Sequence, residues 1–316
     1  MGGYPWRLDL AKEHWTVLKV LDWTRKYLKE KGIARPRLES ELLLSHILGF
    51  DRVGLYLKYD MVLSSSELKR FRGMIQRRVA GEPIQYIIGF QEFWSIPFKV
   101  GPQVLIPRPE TEILVEEALR LIALEEWKNP LILEVGTGCG AVAISIAKSF
   151  HSARVVATEI SWQALGLARE NARAQSVTSQ ILFVLGDLLS FVKVAEKGTF
   201  DLIMSNPPYI REIDIDKLQP EIRDFEPREA INGGGDGLDF CRQLLVDAPQ
   251  YLKDGGRLVL EIGADQGKDI LSLSEQIGGF KDPRIVPDYS GKSRVLIAQK
   301  SGRQKKPALA VNGRRL

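Results

Sequence analysis

The 316-residue chain reads as an α/β protein: a doubly wound, mostly parallel sheet preceded by a small N-terminal helical bundle. Three observations predict this. From residue 131 onward, short apolar runs of strand length alternate with stretches of helical spacing, the pattern of a parallel sheet covered by helices. The runs fall at residues 131–135, 154–158, 181–185, 200–205, 257–261 and 294–298. Before them, residues 12–80 carry apolar side chains at helical spacing. Gly136-Thr137-Gly138-Cys139-Gly140 joins the first run to a helical segment, and a strand, a glycine loop and a helix in that order can cradle a nucleotide.

In chain order, the start (residues 1–9) lacks the charged-then-apolar layout of a signal peptide. Met1-Gly2 is followed by Trp6 where a myristoylation signal has Ser or Thr. A first helix carries Val17, Leu18, Val20, Leu21, Tyr27 and Leu28 and can end at Gly32. Pro36 opens a second, with Leu38, Leu42, Leu43, Ile47 and Leu48, stopped at Gly49. Ser64-Ser65-Ser66 can cap a third that turns Leu68, Phe71, Met74, Ile75 and Val79 inward. Residues 90–107 suggest a hairpin in which Phe98 and Val100 precede Gly101-Pro102 and Val104 and Ile106 follow. A helix over 110–126 leads into the sheet. The expected division is a helical bundle at 1–89, a hairpin linker at 90–109, the sheet domain at 110–299 and a basic, disordered tail at 300–316.

Composition narrows the function. No apolar run approaches the ~20 residues of a membrane-spanning helix. Cys139 and Cys241 alone suggest no disulfide framework, which fits a reducing cytoplasm. His14, His46 and His151 are scattered without metal-ligand spacing. Residues 1–80 hold 16 Lys/Arg against 9 Asp/Glu, a charge of +7. Residues 81–299 hold 22 against 31, a charge of −9. An acidic stretch over the predicted sheet argues against nucleic acid as the direct substrate, because phosphates call for Lys and Arg. The basic face of the first 80 residues is either solvated or a docking surface for an acidic protein.

The chemistry concentrates at the carboxyl ends of the predicted strands, where open α/β sheets bind ligands. Asn206-Pro207-Pro208-Tyr209 follows the run at 200–205. The Asn206 side-chain oxygen can accept one N–H bond and the Pro207 carbonyl another, because the two prolines hold an extended backbone without local donors. Tyr209 offers a flat face to a planar group. Such a grip suits an –NH2 group, although the same four residues also make an ordinary proline-rich turn. Glu159, ending the run at 154–158, can accept both hydroxyls of a ribose. Asp187 can accept from an adenine amino group, with Leu188 packing on the ring. The loop spacing G-x-G-x-G differs from the dinucleotide G-x-G-x-x-G.

Together these residues resemble a class I S-adenosylmethionine-dependent methyltransferase, with a Rossmann-like sheet, of the amino-methylating type. Gly81-Glu82-Pro83-Ile84-Gln85-Tyr86-Ile87-Ile88-Gly89, Ile106-Pro107-Arg108-Pro109-Glu110-Thr111-Glu112, Phe225-Glu226-Pro227-Arg228 and Leu260-Glu261-Ile262-Gly263 narrow the resemblance to the HemK/PrmC family of release factor glutamine N5-methyltransferases. The likeness runs from about residue 17 to 299. It departs from the usual pattern at Cys139 (commonly Thr), Glu159 (commonly Asp) and Leu188 (often aromatic). The resemblance implies S-adenosyl-L-methionine as cofactor, held by Gly136, Thr137, Gly138, Cys139, Gly140, Glu159, Asp187, Leu188 and Asn206. It implies class 1 peptide chain release factors as protein substrate, with Asn206, Pro207, Pro208 and Tyr209 on the acceptor glutamine of a Gly-Gly-Gln loop. It also implies that the last strand runs antiparallel. Two kindred activities share the tetrapeptide: methylation of adenine N6 or cytosine N4 in nucleic acid, and of a ribosomal-protein glutamine. Trp162 is a second candidate to pack on adenine, and Arg108, Glu110 and Glu226 have no assigned role at this stage.

Overall fold

The computed structural model describes residues 14–190 and 198–302. The readings of the first residues and of most of the basic tail fall on 1–13 and 303–316, outside the described residues. The chain forms two compact units, Met1–Gly89 and Phe90–Leu316.

The first unit is helical. Thr16 caps α1 (Val17–Glu30) through its side chain. Pro36 begins α2 (Pro36–Leu48), which ends on Gly49 at φ 70°. Helix α3 (Arg52–Leu57) is capped by Asp51. Helix α4 (Ser65–Val79) starts with a reciprocal capping box between Ser64 and Glu67. The short α5 (Ile84–Ile88) stops at Gly89. Val17, Leu28, Leu43, Leu44, Leu55 and Phe71 fill the core. Among these apolar side chains lies the carboxylate of Glu41, satisfied by Arg37 at 2.9 Å, Arg52 at 2.7 Å and the Tyr56 hydroxyl at 2.6 Å. Sequence periodicity located α1, α2 and α4; α3 and α5 are too short to show a 3.6-residue repeat.

The second unit begins with a hairpin, β1 (Phe90–Phe93) and β2 (Ile96–Lys99), paired antiparallel with Phe93 opposite Ile96. The turn is therefore Trp94-Ser95, not Gly101-Pro102, and this corrects the sequence expectation. Both turn residues take positive φ, 55° and 56°. A two-residue hairpin turn needs this, yet the usual Asn-Gly signal is absent. The surroundings hold Trp94 there: its N–H donates to Glu112 Oε1 at 2.8 Å and its indole N–H to Ser149 Oγ at 3.0 Å.

The remaining elements are α6 (Glu112–Leu124), β3 (Leu131–Val135), α7 (Ala141–Ser149), β4 (Arg154–Glu159), α8 (Trp162–Ala174), β5 (Ile181–Leu185), β6 (Phe200–Ser205), the single turn α9 (Pro220–Arg223), α10 (Asp239–Tyr251), β7 (Leu252–Glu261), α11 (Gly267–Ile277), β8 (Phe280–Pro287) and β9 (Ser293–Lys300). The seven-stranded sheet has the order β5-β4-β3-β6-β7-β9-β8. Neighbours from β5 to β7 are parallel, while β9 runs antiparallel to both β7 and β8. The last strand thus has the expected direction, and β8 is an addition that the sequence did not reveal. The central parallel strands β3 and β6 are buried on both faces, which explains their near-continuous apolar runs, whereas the edge strand β5 exposes Leu182 and Leu185. Lys300, assigned to the tail from sequence, ends β9 and donates to the Leu252 carbonyl at 2.6 Å. From β3 the chain winds outward through β4 to β5, then returns to β6 on the other side of β3. That reversal opens a crevice at the carboxyl ends of β3 and β6.

Candidate active site

One cleft occupies this crevice. Its walls come from the loops after β3, β4, β5 and β6 and from segments around residues 103–111 and 227–230. The Ser205 hydroxyl donates to the Val135 carbonyl at 2.7 Å, tying the ends of β6 and β3 together beneath it.

The glycine loop forms one wall. Gly136 and Gly138 have φ of 75° and 56°, and a Cβ on either would point into open space, so their backbone is laid bare to the cleft. Gly140 differs: it does not line the cleft, and a Cβ there would come within 2.9 Å of Ile144 Cδ1 and 3.3 Å of Ala168 Cβ. It lets α7 start close to α8. Glu134, inside β3, anchors the loop from below. It accepts from Thr137 Oγ1 at 2.6 Å and from the Ala143 N–H at 3.2 Å, standing in for the side-chain cap that Gly140 cannot give α7. Burial pushes its carboxyl up to about 7, against those two bonds. Cys139 is buried and its thiol is pushed up to about 12, which makes it an inert wall residue.

Glu159 reaches back over the loop: its Oε2 accepts from the Gly138 N–H at 2.9 Å and its Oε1 from the Ser161 N–H at 3.0 Å. Each oxygen keeps a lone pair that a vicinal diol can use. Asp187 and Leu188 lie on the same wall, Leu188 at φ 47°. Trp162 does not line the cleft; it is 63% exposed, with the Arg169 guanidinium 5.5 Å from its ring. Glycine backbone, a fixed carboxylate and an apolar wall with an adjacent acid fit an adenosine-like ligand. Among the described residues no cluster of His, Cys, Asp or Glu could hold a metal ion.

The opposite wall carries Asn206, Pro207 and Pro208. Asn206 Nδ2 donates to Thr111 Oγ1 at 3.2 Å, and no group among the described residues donates to Asn206 Oδ1 or to the Pro207 carbonyl. Two unengaged acceptors therefore sit side by side on the cleft wall. Tyr209 is not part of that lining. Its hydroxyl is strongly raised by burial and by the neighbouring Glu261.

A second glycine loop holds the tetrapeptide from behind. The Ile210 N–H donates to the Ile231 carbonyl at 3.0 Å and the Gly233 N–H to the Ile210 carbonyl at 2.8 Å. Gln266 Nε2 donates to the carbonyls of Tyr209 and Gly237, both at 3.1 Å. Arg108 Nη2 donates to Glu226 Oε1 at 2.5 Å and pins two cleft loops, each of which contributes a proline (Pro107, Pro227) to the lining. Sequence reasoning did not place Glu134, Thr111, Glu261 or Gln266. The first and third had a readable signal, an acid inside an apolar strand run (Leu-Ile-Leu-Glu-Val and Leu-Val-Leu-Glu-Ile).

A parallel sheet with an antiparallel β9, a glycine loop after its first strand and Asn-Pro-Pro-Tyr facing that loop across the crevice define a class I methyltransferase. Residues 19–89 match the family model of the PrmC N-terminal domain, and residues 111–221 that of the methyltransferase small domain. The release factor glutamine methyltransferase of Geobacter sulfurreducens is 45% identical over 284 residues, 90% of this chain and 96% of that protein. That of Rhodopirellula baltica is 39% identical over 289 residues, 91% of this chain and 97% of that protein. Among solved structures, the catalytic domain of hMettl16 in complex with MAT2A 3'UTR hairpin 6 shares the fold, with a TM-score of 0.53 at 16% identity, covering 78% of this chain and 87% of that one. The chain belongs to the release factor glutamine methyltransferase family.

Proposed function

We propose that the enzyme transfers a methyl group from S-adenosyl-L-methionine to the side-chain amide nitrogen (N5) of the glutamine in the Gly-Gly-Gln motif of class 1 peptide chain release factors. The observation that carries this reading is the pair of unengaged acceptors, Asn206 Oδ1 and the Pro207 carbonyl, facing the Gly136–Gly138 backbone across one cleft. The name borne by relatives up to 45% identical supports the substrate class. When bound, the cofactor supplies an electrophilic methyl carbon on a sulfonium.

The chain's own residues do the rest. Gly136, Gly138, Glu159, Asp187 and Leu188 hold the adenosine part. A glutamine amide nitrogen is a poor nucleophile because its lone pair is delocalised into the carbonyl. Asn206 and Pro207 accept its two N–H bonds, which turns the nitrogen toward the methyl and favours pyramidal character. They also stabilise positive charge as it develops on the nitrogen. No strong base is required before transfer, since a proton can leave afterwards. The basic N-terminal unit docks the protein substrate.

Asn206→Ala tests this. Orientation of this kind supplies up to roughly 7–11 kcal/mol in ideal intramolecular cases, so turnover should fall by about 10²-fold or more. Cofactor affinity, measured by calorimetry, should stay near the parent value. Transfer of labelled methyl to a purified release factor, with peptide mapping of the modified glutamine, reads the outcome; near-normal turnover in the variant contradicts the assignment.

A further inference from the structure

The proposed reaction leaves one buried group behind the tetrapeptide without a task. Glu261 ends β7, beside the β6 residues that lead into Asn206, with Ser205 paired to Leu260. It is fully buried, and neither carboxylate oxygen makes a hydrogen bond of standard geometry among the described residues. The hydroxyls of Thr111 and Tyr209 face it closely enough to favour its ionised form without completing such bonds, and Arg294 and Glu110 are the neighbouring charges. Thr111, itself 4% exposed, is the residue that accepts from Asn206 Nδ2.

A carboxamide can sit in two orientations that differ in which end, oxygen or –NH2, meets the cleft. Only an oxygen there can accept an N–H bond. Thr111 alone does not decide between them, because a hydroxyl both donates and accepts. An ionised carboxylate is acceptor-only and does decide. With the single Thr111 proton turned to Glu261, Asn206 meets the lone pairs of Thr111 Oγ1 and must present its –NH2 to them. Its oxygen then faces the cleft. We infer that Glu261 and Thr111 form a polarity relay that fixes the Asn206 carboxamide with Oδ1 toward the acceptor amide, Thr111 as the positioning residue and Glu261 as the group that sets the direction of its hydroxyl. The inference rests on the reading of Asn206 as the acceptor of a substrate N–H. The Tyr209 hydroxyl faces the same carboxylate and can only donate to it.

The test uses the full-length enzyme, S-adenosyl-L-methionine and a purified class 1 release factor. Thr111→Val keeps the shape and removes the hydroxyl. It should lower kcat about 10- to 100-fold, leaving the KM for the release factor and the cofactor affinity within about threefold, because only orientation of the reacting amide is lost. Thr111→Ser should return kcat to within about threefold of the parent, since the hydroxyl is restored. In an Asn206→Ala background, Thr111→Val should add no further loss, as groups acting through one another are not additive. A Thr111→Val enzyme with parental kcat overturns the relay. So does a loss that Ser does not rescue, or one that persists undiminished without Asn206. Retained turnover in Asn206→Ala alone would instead sink the underlying reading of Asn206.

Glu261→Gln separates the second member. In the parent, kcat should fall as pH drops through the neutral region, because a protonated Glu261 can itself donate and no longer commits the Thr111 proton. Arg294, Glu110 and Tyr209 also face this carboxylate and are unchanged in the variant. Glu261→Gln should lack that acid limb, and the same limb in the variant would overturn the part given to Glu261.

Discussion

Glu134 and Glu261 each sit at an energetic cost. Both are fully buried in parallel strands, and burial lifts each carboxyl from 4.5 to about 7. A carboxyl whose folded value is raised binds its proton more tightly in the folded state. Its contribution to stability is therefore complete below the unfolded value near 4.5 and is lost as pH rises through about 7. Each group should remove on the order of 2 kcal/mol between pH 5 and 8. His46 works the other way, its imidazole pushed down by burial and by Arg70, but it is one largely exposed group against two enclosed ones. Urea unfolding midpoints should accordingly fall from pH 5 to pH 8, and the combined Glu134→Gln and Glu261→Gln variant should show a flatter profile. A parent midpoint that rises over that interval contradicts the assignment.

At the scale of elements, the tetrapeptide keeps its shape through a loop that only glycine permits. A Cβ on Gly233 would lie 2.8 Å from the Pro208 carbonyl oxygen, the Tyr209 Cα and the Gly237 carbonyl oxygen, all backbone atoms with nowhere to go. Gly233→Ala should therefore push Asn206-Pro207 out of register, lowering kcat and costing about 1–3 kcal/mol of stability through overpacking. At Gly138 the added methyl meets open space but an unfavourable φ of 56°. Gly138→Ala should mainly weaken cofactor binding, at a stability cost nearer about 1 kcal/mol. Calorimetry and steady-state kinetics on the two variants distinguish these patterns, and similar effects on both would refute the distinction. The same contrast explains what was legible in sequence. Strands 131–135 and 200–205 were plain because burial keeps them apolar apart from Glu134, Asp201 and Ser205, and strand 181–185 because it is apolar throughout, although Leu182 and Leu185 are exposed. The glycine loop after β3 was plain because its spacing is local. Strand β8 was not, because Pro283, Asp282 at φ 52° and a register shift break its alternation at the sheet edge. The Trp94-Ser95 turn was hidden because tertiary contacts, not turn residues, hold it. Thr111 and Gln266 reach the site from 95 and 57 residues away, a pairing that no local pattern carries.

For the molecule as a whole, charge is unevenly distributed along the sequence: +7 over residues 1–80, −9 over residues 81–299 and +6 over residues 300–316. The acidic part contains the chemistry. An acidic rim does not attract polyphosphate, so long-range capture of a nucleic acid strand is disfavoured there. The basic part can recruit an acidic protein surface without touching the reaction. Lys26, Lys29 and Lys31, at the exposed end of α1, are suited to test this because none of them contributes to the core. Replacing all three by Glu changes the local charge by six units and should raise the KM for the release factor about tenfold or more at low ionic strength. kcat at saturating release factor and cofactor affinity should be unchanged. The parent KM should climb with added salt, since exposed charges are screened over roughly 8–10 Å at 0.10–0.15 M ionic strength, and the variant's should climb less. Were the triple variant to keep the parental KM and salt dependence, this basic face would be merely solvated and recruitment would rest on the cleft alone.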